Sequence, residues 1–371
     1  MSLKNQKFYL IYILWLLIFL FTTNQHLNFK EIISINQIDS ASYMSIAISA
    51  PEFSQENIPY HHAQRVFIPY ITGLLSNTFD FEIFYVFKIL TILIIFLIIY
   101  CHYWITIKIK SDFYLSVLSI SFLILNPYLL RYFIAVPTMI NDVVFILSLY
   151  LFSIGLIFKK KITLLGFFLG ILSRQNGIFL FIAYLINNFL HKNFKIIKDK
   201  KTILALFIMI IVSMFANKYA EEVSIDKFNY MHVYGIFEWI YNSFNLAILL
   251  KWFMLPLYSY LPIIIFISIF LRLNFIQKIN INNFLIIIFI FVSIIGVSYL
   301  SGPGTSGRNI IRLTTLVYPL ILISILCFMK LKNKIFSIPI FYFILFILHI
   351  WSFHPKYSIF SITEVFRNYL I

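Results

Sequence analysis

Eleven apolar stretches, most of them close to the length of a membrane crossing, recur along the chain with only short polar interruptions. They fall at about 8–22, 82–107, 112–127, 139–158, 162–173, 176–190, 202–217, 245–271, 282–300, 311–329 and 335–351. With 61% hydrophobic residues, 12% charged residues and a mean hydropathy of +0.92, a water-soluble domain of 371 residues would have nowhere to hide this surface. In lipid every backbone N–H and C=O must find a partner within the protein, so the chain has a choice of helices or a closed barrel. The stretches show no alternation of polar and apolar residues, which removes the barrel. The expectation is an all-α polytopic helical bundle of about 11 transmembrane helices, a single integral membrane domain over 1–371. Residues 162–173 and 176–190 are each short for a crossing and read as a hairpin of two helices, with one long kinked helix as the other reading.

The net charge of +15 invites a nucleic-acid reading, but its distribution argues otherwise. If Lys4 and Lys7 hold the N-terminus in the cytoplasm, the segments on that side carry 17 of the 29 basic residues and only Asp112 and Asp199 among the acids. These include Lys108, Lys110, the Lys159–Lys161 run, the lysines of 192–201 and Lys330–Lys334. The remaining basic and acidic residues balance, so the whole excess is positive-inside bias, and no nucleic-acid partner is called for. Cys101 and Cys327 both fall near cytoplasmic ends, where a disulfide is not expected. The stretch after Lys7 ends in Thr-Thr-Asn-Gln-His without a small-residue cleavage pattern, so it reads as an uncleaved anchor. The localisation expected is a multi-pass integral membrane protein, of the cytoplasmic membrane if the source is bacterial.

This topology sets two long loops, about 23–81 and 218–244, on the non-cytoplasmic side. The first gathers Asp39, Tyr43, His61, His62, Gln64 and Arg65 beside the bilayer, in N-Q-I-D-S-A-S-Y-M-S-I-A and Y-H-H-A-Q-R-V-F-I-P-Y. Charge kept beside a membrane marks function. Residues 40–49 read as a short surface helix with Met44, Ala47 and Ile48 on one face and Asp39 as its N-cap, an orientation suited to taking a proton from an incoming hydroxyl. The adjacent His61 and His62 point apart in a helix and make poor metal ligands. On the same side lie Asn141-Asp142 at the start of the fourth stretch, Arg174 between the short helices, and Arg308 and Arg312 after a glycine-rich turn, S-G-P-G-T-S-G-R. That turn lacks the Gly-Lys-Ser/Thr of a P-loop, but its backbone N–H groups suit an anion. Snorkelling or local pairing explains any single such arginine better than an anion does, except Arg308, where the glycine-rich turn reverses the order, and a helix-start carboxylate such as Asp142 also serves the macrodipole.

Asp39 followed by x-x-x-Tyr-x-x-Ile-Ala, then Arg65-x-x-x-Pro69, resembles the first outer loop of the GT-C superfamily of integral membrane glycosyltransferases, which includes protein mannosyltransferases and aminoarabinose transferases. Asn141-Asp142, the helix pair hinged on Arg174, and Arg308 and Arg312 before Pro319 are similar to further elements of that superfamily in order and sidedness, and together they cover about three quarters of the chain. The resemblance implies a GT-C-like bundle with a helical first outer loop. It implies transfer of a sugar from a polyprenyl-phosphate donor to a lipid or glycan acceptor at the non-cytoplasmic face. Asp39 would be the general base, and Arg65, Tyr43, His62, Asp142, Arg174, Arg308 and Arg312 would bind substrate. Many relatives carry two acids where this chain has Asp39 alone, so a divalent cation stays an open expectation, with Asp142 as a second acid. The alternatives are a transporter or flippase of lipid-linked saccharides, or a catalytically inactive scaffold with this fold. A transporter more often shows internal repeats and charges deep in several spans, which are not evident here.

Overall fold

A computed structural model describes residues 1–23, 37–55, 57–192, 200–224, 231–274, 280–303, 309–332 and 338–353. Among the described residues the fold is all-α apart from one short strand pair. Seven helices among the described residues are long and apolar enough to cross a membrane: Leu3–Thr22, Ile83–Lys108, Phe113–Ala135, Pro137–Phe158, Thr202–Val223, Ile281–Leu300 and Ile310–Phe328. An eighth crossing is made if Leu246–Met254 and Ser259–Phe270, bent by 65°, count as one broken span. The break lies at Leu255-Pro256, where the proline ring cannot continue the preceding turn, whereas Pro262 is accommodated inside the second helix. The other three stretches expected to cross form shorter apolar helices, Ile162–Ser173, Gln175–Leu190 and Ile338–Ser352. At about 1.5 Å per residue, the shortest of these reaches only part of the roughly 30 Å hydrocarbon layer.

In chain order the elements that position the site are α1 (Leu3–Thr23), α2 (Gln37–Ser49), α3 (Tyr60–Ala63), α4 (Phe67–Phe79), α5 (Ile83–Lys108), α6 (Phe113–Leu125), α7 (Leu130–Ala135), α8 (Ile140–Phe158), α9 (Ile162–Ser173), α10 (Ile178–Lys192) and α11 (Lys200–Val223). They continue with α12 (Met231–Ser243), α13 (Leu246–Met254), α14 (Leu257–Phe270), β1 (Leu271–Leu273), α15 (Ile281–Leu300), α16 (Ile310–Thr315), α17 (Tyr318–Phe328), β2 (Met329–Leu331) and α18 (Ile338–Phe353). The spans around α6–α7, α8 and α16–α17 are buried over 83%, 94% and 89% of their apolar window, so they form the centre. Those of α1, α5, α11 and α15 are buried over only 28–33%, so they present most of their apolar surface outward. That is the arrangement lipid permits, because an outward leucine costs nothing there.

The tightest packing in the centre is between α8 and α9. A Cβ on Gly166 would meet Phe152 N at 2.4 Å and Ser148 O at 2.8 Å, so only glycine lets these backbones approach so closely. At the far end of the pair, β1 and β2 join antiparallel, with Leu271 opposite Leu331 and Leu273 opposite Met329. Cys101 and Cys327 are both buried and free, in accord with packing residues.

The long helices connect two chemically different ends. α8 runs from Asp142 to the Lys159 turn, and α17 runs from just after Arg312 to Lys330. α5 runs from the neighbourhood of Pro137, where Thr91 donates to Pro137 O at 3.1 Å, to Lys108. α11 begins at Lys200 and at its other end bonds the first loop, where Gln64 donates to Asn217 Oδ1 at 2.7 Å. Lys108, Lys159, Lys200 and Lys330 therefore collect at one end and the polar residues of the first loop at the other.

A candidate site of buried arginine–carboxylate pairs

The site begins with α2. The helix starts at Gln37, so Asp39 lies within its first turn rather than at its N-cap, which corrects the sequence expectation. Its buried face is formed by Tyr43, Ile46 and Ala47, while Ile48, expected on the same face as Ala47, is 64% exposed. α4 crosses this face closely: a Cβ on Gly73 would meet Ala47 O at 1.9 Å, so a glycine at this position sets how near α4 can lie. Pro59 leads into the single turn of α3, which carries His61 and His62. The chain thus folds the first loop back on itself and brings Asp39, Tyr43, His62 and Arg65 together.

Asp39 is 7% exposed, and both of its oxygens are engaged. His62 Nε2 lies 2.8 Å from Oδ1, and Arg312, from α16, pairs with Oδ2. Burial pushes the Asp39 carboxyl up, but Arg312 first, then the His62 hydrogen bond and Arg65, more than offset it and hold its pKa well below the ordinary carboxylate value. An ionised carboxylate only accepts, so His62 Nε2 must carry a proton. Burial lowers the His62 pKa more than the Asp39 contact raises it, so the ring is neutral and Nδ1 is an acceptor. Ser42, at 3.0 Å from Nδ1, is then the donor, giving a chain Ser42→His62→Asp39. His62 was expected to bind substrate; here its described partners are Ser42 and Asp39.

A second buried pair stands beside the first. Asp142, in the first turn of α8, pairs with Arg174. Arg174 sits at the extended break (φ −153°, ψ 147°) between α9 and the short 3-10 turn Gln175–Gly177, so the interruption of the helix is what turns this guanidinium toward α8. The hinged helix pair expected from the sequence is present. Arg312 links the two pairs, its Nε 3.6 Å from Asp142 Oδ2, and its NH1 lies 3.7 Å from Met139 Sδ.

Arg65 completes the cluster differently. Its NH1 donates to Tyr43 Oη at 2.8 Å and its Nε donates to Gln175 Oε1 at 3.1 Å, both neutral partners. Burial lowers its pKa, but the Tyr43 hydroxyl and the nearby carboxylates raise it further, so it stays protonated. Tyr43 is itself kept neutral, chiefly by burial. Among the described residues the cluster therefore sets three guanidinium groups against two carboxylates. Gln175 ties the break to the first loop, donating to Gln64 Oε1 at 3.0 Å and His61 O at 3.1 Å. Asn141 donates to Arg65 O at 3.2 Å, and Ser40 and Thr138 hydroxyls meet at 2.7 Å.

Of the residues singled out in the sequence, Asp39, Tyr43, His62, Arg65, Asp142, Arg174 and Arg312 meet in this one cluster, while Arg308 lies outside the described residues. Gln175, Ser42 and Thr138 were not singled out, although Gln175 stands next to Arg174 in the expected hinge. Arg131 was also passed over; it is buried and donates to the carbonyl and hydroxyl of Ser352, tying α7 to the end of α18. The donor set does not fit a divalent cation: both carboxylates face guanidinium groups, and among the described residues no three His, Cys, Asp or Glu side chains are grouped to hold a metal. The described part of the 218–244 loop forms the end of α11 and α12, and α12 packs on α15; Gly302 (φ 75°) closes on the backbone there, a Cβ at that position falling 2.6 Å from Ile236 N. No family model matches the chain, and neither the curated proteins nor the solved structures give a match.

Proposed function

We propose that the chain is a GT-C-type membrane glycosyltransferase, moving a sugar from a polyprenyl-phosphate carrier to an acceptor hydroxyl on the non-cytoplasmic side. The observation that carries this reading is the charge imbalance of the buried cluster: Arg65 is a protonated guanidinium whose hydrogen-bond partners are neutral, beside two arginines already matched to carboxylates. A half-buried surplus cation favours an anion, and the planar fork of arginine suits two phosphate oxygens. A lipid-borne phosphate reaches such a place from the bilayer without crossing water.

In this reading the acceptor oxygen attacks the anomeric carbon from the face opposite the phosphate. The bond from that carbon to the phosphate oxygen breaks, and the polyprenyl phosphate leaves with the electron pair, facing Arg65. The acceptor proton passes to Asp39. At rest Asp39 is a weak base, because Arg312 and His62 hold its pKa down. The hydroxyl proton, however, becomes strongly acidic as the new C–O bond forms, so a weak, well-placed carboxylate can receive it. A phosphate that draws Arg312 away strengthens the base at the moment it is needed.

The test is sugar transfer by purified variants, with thermal unfolding measured alongside. Asp39→Asn is expected to lower the rate by about 10²–10⁴-fold. Because Arg312 then loses the charge of its partner at Asp39, stability should also fall, by about 1.5–3 kcal/mol. Wild-type transfer by folded Asp39→Asn would remove Asp39 from the mechanism, and transport of the intact lipid-linked sugar without transfer would favour the flippase reading.

A further inference from the structure

The lysine end of the bundle holds a feature the proposed reaction does not use. Where α1 begins, where α5 turns into α6 and where β1 pairs with β2, the chain forms an open cavity of about 630 Å³. α5 closes with Lys110 in the left-handed region (φ 53°) and Ser111 N donating to Thr106 O at 3.0 Å, which sets Lys110 and Ser111 on the cavity wall. Lys330 of β2, Asn5 of α1 and Asn274 after β1 complete its polar lining. Ser111 is only 7% exposed, and its hydroxyl has no hydrogen-bond partner among the described residues. One acid, Asp112, also lines the cavity, but its carboxylate accepts from Tyr114 N at 2.9 Å and Leu115 N at 3.3 Å as the cap of α6. The floor is apolar, with Leu115 and Leu326.

We propose that this cavity binds a phosphate group, and that a phospholipid headgroup of the adjoining leaflet brings it there. Two ammonium groups, two amides and a buried hydroxyl awaiting an acceptor form a donor-rich wall, and basic recesses between helices at a cytoplasmic face suit anionic headgroups. The lipid source follows from α1. Its N-terminal residues line the cavity, while the helix beyond turns Ile11, Leu14 and Ile18 outward, a surface along which acyl chains can lie.

The experiment uses the full-length protein in phosphatidylcholine nanodiscs doped with phosphatidylglycerol, and counts the phosphatidylglycerol retained per protein after extraction. Each of Lys110→Gln and Lys330→Gln is expected to lower retention roughly fivefold, and the pair roughly thirtyfold, as for basic residues near an anionic surface. Ser111→Ala should lower it a few-fold without changing net charge. Lys159→Gln/Lys161→Gln, at the same end but outside the cavity lining, should leave it unchanged. Inorganic phosphate added at millimolar concentration should displace the lipid from the wild type. Equal losses in the cavity pair and the control pair would overturn the site. Phosphate binding that depends on Lys110 without lipid retention would overturn the lipid source.

Discussion

The two ends of the bundle carry positive charge in opposite ways. At the Asp39 end the cations are arginines paired across the chain: buried Arg312 with Asp39 and Asp142, buried Arg174 with Asp142, and half-buried Arg65 with Tyr43 and Gln175. At the other end, outside the cavity lined by Lys110 and Lys330, they are lysines on the surface, such as Lys108, Lys159 and Lys161, whose side chains stand in the open. Exposed lysines orient a chain in a membrane and ask little of its packing. Buried guanidinium groups must be satisfied by partners that the fold brings from far along the sequence, so they are retained only where structure or chemistry needs them. The contrast separates the charges that set topology from those that build a site.

That separation is sharpest at Arg312. Arg312→Ala would take from Asp39 its ion-pair partner and remove the link to Asp142, so it is expected to cost about 3–5 kcal/mol, the usual penalty for breaking a buried pair. Thermal or denaturant unfolding reads it, and a loss below about 0.5 kcal/mol would place Arg312 with the surface lysines.

A smaller effect is expected from pH. Folding lowers the His62 pKa, so the unfolded chain binds a proton that the folded chain refuses. The stabilisation from neutral His62 is present in full above its ordinary pKa of 6.5 and is lost as pH falls below that value toward the folded pKa. Wild-type stability should therefore decline from about pH 6.5 downward, and His62→Gln should flatten that slope. An unchanged slope would mean that His62 carries no such linkage. The smallest effect belongs to the other end: Lys161→Gln should change stability by less than about 0.5 kcal/mol.

The sequence made the helical, membrane-spanning character and the grouping of the site residues legible, because both rest on patterns along the chain: apolar runs, and polar residues recurring on one side of them. It did not reveal the pairing. Arg312 was read as a phosphate-binding group beside Arg308, yet its partner is Asp39, 273 positions earlier. His62 was read through its neighbour His61 as a residue at the membrane surface, whereas the fold of the loop buries it against Asp39 and Ser42. Asp39 was expected to cap its helix, but a start at Gln37 moves it inside the first turn and frees its carboxylate for long-range partners. The number of spans was less legible, with seven or eight long apolar helices and three shorter ones among the described residues where about 11 crossings were expected. Whether a 12-residue helix crosses, stops midway or pairs with the next depends on packing against neighbours such as α8, which no local window contains.

If Arg65, the surplus cation of the cluster, meets a lipid-borne phosphate, binding of that phosphate must depend on it. Purified wild type and Arg65→Gln are titrated with a polyprenyl phosphate and, separately, with the uncharged polyprenol, while the unfolding temperature is followed. A concentration-dependent rise is expected for wild type with the phosphate only, and a loss of roughly tenfold or more in apparent affinity for Arg65→Gln, as for removal of one charge-assisted hydrogen-bonding group. Equal affinity of the two proteins, or equal stabilisation by the phosphate and the alcohol, would contradict it.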